Sequence, residues 1–487
     1  MDKLTLSNTT DILRDGSLYA QGLLRSVDIE RAEECITTVS KSQIETIRVL
    51  FADQHGLLRG KTIVAEAFPS LFMSGMKVPN TLLLKDISHR TVFPVWSEDS
   101  VGFPAGAGDI VLVPEPSTYR VLPWSAHSAW IFCTPVNKDG SRIPYASRSV
   151  LQYAIDRLSS INRQLRVGLE VEFCIFAITD ERLDHSNACM PASPVTTRNL
   201  LHGYQLLTEQ LYDRVEPLMD DLRRNANALG LNVRSIEIEM GPSQFEFTFN
   251  ATDPMSHADN MVMFRTMVKE VCARKGLHAT FMSKPHLPNA AASGWHVHQS
   301  LFDKSENNLM MSKADGTLTE IASAWIAGLL EHAKASCLLT TPTVNGYKRY
   351  KPHQLAPDRI LWAQDNRGAM VRGLMAPNDP TSRIENRVAE PAANPYYLFA
   401  SQIFSGLDGI NHGRTAPAPI ETPYMSDVER LPANLQEAIK FFESSNLYSE
   451  ALGTKFVTYL AQIKRAEWER YHSTVSQWEH YEYFSLL

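Results

Sequence analysis

Four stretches of this chain alternate charged and apolar residues with a period of two, and that pattern restricts the fold more than anything else in the sequence. In Gly168-Leu169-Glu170-Val171-Glu172-Phe173, two glutamates share one side while Val171, Phe173 and Ile175 take the other. Glu239 is followed by Glu246 inside the run Phe245-Glu246-Phe247-Thr248-Phe249. Ser293-Gly294-Trp295-His296-Val297-His298-Gln299-Ser300 puts His296, His298 and Ser300 on one face, and Arg383-Ile384-Glu385-Asn386-Arg387 does the same for Arg383, Glu385 and Arg387. Side chains alternate across a strand, so each stretch predicts a strand with an apolar side against a core and a charged side facing a site. Acids gathered on such a face repel one another unless cations neutralise them.

The residue types point to a chemistry. Glu170, Glu172, Glu239, Glu246 and Glu385 with His296 suit a hard divalent ion, Mg²⁺ or Mn²⁺. Zinc fits less well, since carboxylates dominate the set. A carboxylate between Arg383 and Arg387 matches the needs of phosphoryl transfer, which takes a metal-binding acid and fixed donors for developing phosphate charge. Any one stretch alone reads equally well as a solvated strand face with surface ion pairs. Four with one coherent chemistry favour a site.

At 487 residues the chain has room for two or three domains and a large core. Its net charge of −7, with 47 dispersed basic residues, leaves no nucleic-acid footprint. No apolar run reaches membrane-spanning length and Met1-Asp2-Lys3-Leu4 opens no signal-peptide core, so the cytoplasm is expected. The cysteines show no paired spacing; Cys133 and Cys174 read as buried thiols. No Gly-rich phosphate loop appears, so a nucleotide would rely on arginines and metals.

Along the chain, residues 1–40 form an amino-terminal extension of short helical patterns, with Ser26 as a cap. Residues 41–136 read as a small, mostly β domain beginning with a hairpin around Asp53-Gln54-His55-Gly56. The polar linker Asn137–Pro144 separates it from a large domain, 145–487. There Ser147 is expected to cap a helix. Helices are expected over about 197–229, 256–275 and 318–338 and in the tail from 433, with site-bearing strands between them, which argues α+β.

In this order the four motifs resemble the glutamine synthetase family: two strand glutamates, a Glu-x6-Glu pair, Ser-Gly-x-His-x-His and Arg-Ile-Glu-x-Arg. Asn345-Gly346-Tyr347-Lys348-Arg349, Glu390–Tyr396 and the ending Glu479–Ser485 are similar to further family blocks. The resemblance covers roughly residues 40–487 and leans toward the family's γ-glutamyl-amine branch, with its anilide and polyamine synthetases. It implies a β-grasp small domain and a catalytic domain built on an antiparallel sheet flanked by helices. It also implies one metal among Glu172, Glu239 and Glu246 and a second among Glu170, His296 and Glu385. By the same resemblance Arg367 and Arg387 stabilise the transferring phosphoryl group, His298, Ser300, Arg372 and Arg383 contact ATP, and Arg349 anchors the acid substrate. A ring homo-oligomer is implied too, a hexamer or stacked dodecamer.

Two departures shape the substrate reading. Family members that use ammonia carry a flap glutamate before Ala-Pro; here Leu355 stands there, and Val95, or Asp99 across a gap, falls near the aspartate that completes their ammonium site. The Asn-Gly pair that contacts glutamate reads Ala291-Ala292. The expectation is therefore an ATP-dependent ligase joining the γ-carboxylate of glutamate to a hydrophobic monoamine, aromatic ahead of short alkyl, through γ-glutamyl phosphate. The alternatives are a glutamine synthetase proper, a γ-glutamylpolyamine synthetase and a non-catalytic ring homologue.

Overall fold

A computed structural model describes residues 9–96, 106–351 and 355–487. The small sheet holds β1 (Thr46–Ala52), β2 (Leu58–Val64), β3 (Met76–Pro79), β4 (Asp109–Pro114), β5 (Arg120–Leu122) and β6 (Ser125–Val136), in the order β2-β1-β6-β4-β3 with β5 also on β6. β1 runs parallel to β6 and antiparallel to β2, the hairpin-plus-parallel pairing of a β-grasp module. The amino-terminal helices pack on this sheet's neighbours, the helix Phe68–Ser74 and the turn Pro116–Thr118. Leu13, Leu18, Leu24, Ile29 and Ala32 belong to the same buried core, and Gly16 approaches so closely that a Cβ would lie 2.7 Å from the Met73 backbone.

The large sheet holds β7 (Gln164–Asp180), β8 (Thr196–Asn199), β9 (Val233–Ile238), β10 (Gln244–Thr252), β11 (Leu277–Thr280), β12 (Trp295–Phe302), β13 (Trp362–Gln364), β14 (Val371–Leu374) and β15 (Arg383–Asn386). Its order is β13-β14-β15-β12-β7-β10-β9, with β8 and β11 against the far end of β7. Every pairing in it except β13–β14 is antiparallel. Helix Pro254–Ala273 covers one face through aromatic contacts: Phe264 packs on Phe249 (5.0 Å between centroids), Phe247 (5.2 Å) and Phe173 (5.6 Å). Helix Pro395–Asn411 adds Phe399 against Trp295 (5.8 Å). The helices cover one face and leave the other to the charged residues, the division an antiparallel sheet allows. No helix among the described residues is long and apolar enough to cross a membrane.

Buried polar contacts bolt the two sheets together. Arg265 donates to the carbonyls of Gly56, Pro391 and Ala393, and Asn394 Nδ2 donates to those of Asp53 and Gln54. At the rim, Arg48 and Trp124 both donate to Glu270.

Several local expectations need correction. Ser147 caps nothing: its hydroxyl donates to Asp53 O across the domain boundary, and Ala146 occupies the N-cap. Ser26 opens helix Ser26–Lys41, but the capping box belongs to Arg25 and Asp28. The stretch 197–229 is not one helix. Thr196–Asn199 pairs with β7, a turn follows, and the helix spans Glu209–Ala228. Gly203 marks the break, since a Cβ there would sit 2.4 Å from Pro242 N. The helix expected over 318–338 is two, Glu320–Glu331 and Ala333–Thr340, meeting at His332. Val95 is buried in the core, so it presents no surface to an acceptor; Asp99 lies outside the described residues, as does the amino terminus at Met1–Leu4.

Candidate active site

Strand register turns the four motifs into a lattice. Glu246 on β10 pairs with Glu237 on one side and Glu172 on the other, forming one transverse row. Two residues along, Ser235, Thr248, Glu170 and His296 form the next. A third runs Gly168, His298, Glu385, Arg372. Because side chains of period two share a face, all these groups project to the uncovered side. Glu239 closes the hairpin between β9 and β10, its N–H bonded to Gln244 O.

The two ends of the lattice differ in charge. At the β12–β15 end each acid has histidine or arginine partners. His298 Nε2 lies 2.7 Å from Glu170, and its Nδ1 accepts from Arg383 Nε (3.0 Å), which assigns the ring proton to Nε2. His296 Nδ1 lies 3.2 Å from Glu170 and 3.6 Å from Glu385. Glu385 is fully buried, paired with Arg387 and with Arg372 at 3.1 Å. Burial alone would raise Glu170 and Glu385, but hydrogen bonds from both histidines outweigh it for Glu170, and Arg387 with the histidines does so for Glu385; both stay below the usual carboxylate range. Burial and Arg387 together lower His296.

At the β9–β10 end, of such partners only His296 approaches an acid, its Nε2 3.7 Å from Glu172, and no arginine pairs with one among the described residues. Burial, then Glu239, pushes Glu172 up to about 8; burial, then Glu172, Glu170 and Glu239, pushes Glu246 up to about 10. Glu239 is raised by burial and by Glu237. Carboxyls so placed hold protons unless a cation replaces them. Three sets of ligand atoms lie within 4.8 Å of one another: Glu170-His296-Glu385, Glu172-Glu246-His296 and Glu237-Glu239-Glu246. Glu172 is aimed by Gln244 Nε2 and by Gly294 N, each at 3.0 Å. Gly294 is tightly hemmed, since a Cβ would lie 3.2 Å from His296 Nε2.

Two cavities meet at this lattice, sharing Glu170 and Glu237. One, of about 970 Å³, is lined by His298, Ser300, Arg383, Arg163, Arg166 and Arg234. The other, of about 780 Å³, carries Arg367, Arg387, Arg349, Arg372, Ala292 and Leu355. Ser300 donates its hydroxyl to Ser382 O (3.0 Å). Arg367 is exposed at the second cavity, whereas Arg387 is buried with an Nε that finds no partner. Arg372 bridges Glu385 and Asp365. Arg349 is almost fully buried and donates to the carbonyls of Gly346, Val388 and Ala389, leaving two of its five donors for a substrate carboxylate.

The grouping of acids differs from the expected one. Glu239 clusters with Glu237 and Glu246, while Glu172 clusters with Glu246 and His296. Glu237 was missed by the motif reading, although counting back two residues from Glu239 along the strand puts it on the same face. Gln244 was missed as well, and nothing in its local sequence marks it as the donor to Glu172.

Comparison with known proteins supplies the rest. Residues 144–483 match the family described as glutamine synthetase, catalytic domain. The chain is 36% identical over 481 residues to a gamma-glutamylanilide synthase of an Acinetobacter species, covering 94% of this chain and 96% of the relative. It is 30% identical over 451 residues to gamma-glutamylethanolamide synthetase GlnA4 of Streptomyces coelicolor, covering 92% and 94%. Among solved structures, a GmaS complex with ADP superposes with a TM-score of 0.78 at 25% identity, covering 92% of this chain and 99% of that one.

Proposed function

This chain belongs to the glutamine synthetase family, and we propose that within it the protein is an ATP-dependent ligase joining the γ-carboxylate of glutamate to an amine. The observation that carries the proposal is the carboxylate lattice lying between two cavities, both lined by arginines. In this reading ATP occupies the cavity with His298, Ser300 and Arg383, and the acid and amine occupy the cavity with Arg367 and Arg387. The donor set fits divalent cations: clustered carboxylates, one pair pushed upward for want of positive charge. Glu170, His296 and Glu385 would hold one Mg²⁺ or Mn²⁺, and Glu172, Glu239 and Glu246, joined by Glu237, another. When bound, such ions neutralise the phosphate oxygens of ATP.

A γ-carboxylate oxygen of glutamate attacks the γ-phosphorus, the bond to ADP breaks, and γ-glutamyl phosphate results. Arg387, with its unpartnered Nε, and Arg367 offer forked donors to the moving phosphoryl group. Arg372, which the resemblance implied as an ATP contact, lines the cavity with Arg387 instead of the one with His298, and in this reading it acts through Glu385, fixing it on the strand. The amine nitrogen, uncharged, then attacks the acyl carbon, phosphate leaves, and the nitrogen loses a proton to give the amide. Leu355, where ammonia-using members carry a flap glutamate, favours an amine with an apolar body over ammonium, whose unpaired desolvation is costly. The same reading assigns the protein to a ring homo-oligomer, hexameric or doubly stacked, in the cytoplasm.

The test is phosphate release from Mg²⁺-ATP with ammonia, isopropylamine, aniline and putrescine. Release is expected to require glutamate and to be fastest with aniline or isopropylamine. Absence of glutamate-dependent release with every amine overturns the ligase assignment.

A further inference from the structure

The 780 Å³ cavity has a wall that the phosphoryl chemistry does not use. Tyr204, Leu206, Leu207, Met240 and Leu355 all line it, and each is between 45% and 62% exposed. Single exposed hydrophobics are ordinary on a protein surface; five converging on one mouth mark a binding surface. Three of them also have left-handed backbones: Tyr204 at φ 66°, Leu207 at φ 57° and Leu355 at φ 54°. Bulky side chains avoid that region, so its recurrence at one cavity is a strain that the surroundings hold in place. The holding contacts are visible. Tyr204 N–H donates to Met240 O (2.6 Å), Leu207 N–H to Ile238 O (3.1 Å), and the Tyr204 hydroxyl to Asn289 O (3.0 Å). They fasten the turn 204–207 to the end of β9, beside the acids of the lattice.

The cavity therefore has two characters. Its floor is cationic, through Arg367 and Arg387, and suits an anionic acid and a phosphoryl group. Its lip is apolar. We infer that the turn 204–207, with Met240 and Leu355, seats the body of the acceptor, and that Leu206 and Leu207 decide which amine is used. The acceptor class is a neutral amine bearing an aromatic or branched aliphatic group. Leu206 and Leu207 are specificity residues, not catalytic ones, and the inference rests on the ligase reading above.

The experiment compares kcat/KM for aniline, isopropylamine and ammonia in the unsubstituted protein and in Leu206→Ala, Leu207→Ala and Leu206→Met. Each alanine should lower the aniline value roughly 10- to 100-fold, mainly through the amine KM, and leave ammonia within about 2-fold. Leu206→Met keeps the apolar area and should stay within about 3-fold of the parent on aniline. Equal losses for aniline and ammonia, no loss for either, or ammonia as the parent's best acceptor would overturn the assignment of the lip while leaving the ligase intact. If an alanine variant does not fold, Leu206→Asn, read against the folded Leu206→Met, decides the same question through the same aniline-to-ammonia ratio. A parent protein that releases no phosphate with any amine points instead to failure of the ligase reading.

Discussion

The acid lattice and the apolar lip of the second cavity are neighbours built in opposite ways. The lattice stands on paired strands: its positions follow from register, its acids come in rows, and most of its members are buried. The lip stands on a turn and on Leu355, with left-handed backbones and exposed side chains. Reaction chemistry needs groups fixed to a fraction of an ångström, which strands supply. Choice of acceptor can rest on surfaces whose replacement leaves the sheet untouched, which turns supply. The lesson is a division of labour: what the enzyme does is written in the register, and what it accepts is written in the connections.

Experiments can strain that division at graded strength. The largest effect is expected from Glu385→Ala, which removes a fully buried carboxylate of the proposed metal set and orphans Arg372 and Arg387. Turnover should fall by about 10²-fold or more while the secondary structure measured by circular dichroism persists. Near-normal activity in a folded variant would end the lattice's claim to the chemistry. Next comes Gln244→Leu, which strips Glu172 of a donor without touching a ligand. The Mg²⁺ concentration for half-maximal rate should rise roughly 10- to 100-fold, and an unchanged requirement would show that Glu172 needs no such aiming.

A pH experiment separates the two ends of the lattice. Glu172 and Glu246 have carboxyls raised in the folded state, so folding favours their protonated forms. In the cation-free protein, stability falls as pH rises from the ordinary carboxyl range towards 8, and bound cation restores it. Apparent Mg²⁺ affinity should climb between pH 6 and 8, by up to about tenfold per unit for each proton released. Calorimetric titration in buffers of different ionisation heat measures that release; a pH-independent affinity with none would contradict the charge picture. The smallest effect belongs to acceptor charge at Leu355. Leu355→Glu, at a half-exposed position, should raise kcat/KM for ammonia about 2- to 5-fold, the range of a partly exposed ion pair. No rise at all would make Leu355 irrelevant to acceptor charge.

What could be read from the chain follows the same line. Period-two alternation places Glu170, Glu172, Glu246, His296, His298 and Glu385 each on the charged face of its own strand, because strand geometry leaves a side chain only two directions. The hairpin around Asp53–Gly56 was legible through its turn residues. Glu237 was legible in principle, being in phase with Glu239, but lay outside the motif under attention. Gln244 and Ser147 were not legible, since each acts on a group far away in sequence: Gln244 on Glu172, Ser147 on Asp53. The 204–207 turn was hidden inside an apparently helical run, where only Gly203 hinted at a break. Val95 was misjudged because counting along the chain cannot say whether an apolar residue faces a core or a pocket.

The division into two cavities has a kinetic consequence. They share only Glu170 and Glu237 among their lining residues, so on the proposed assignment nucleotide and acid occupy different spaces and need not queue behind one another. Binding of ATP and glutamate is then random in order, and initial-rate lines for the pair intersect. A dead-end nucleotide analogue raises the barrier for every acid concentration alike, acting as a noncompetitive inhibitor against glutamate and a competitive one against ATP.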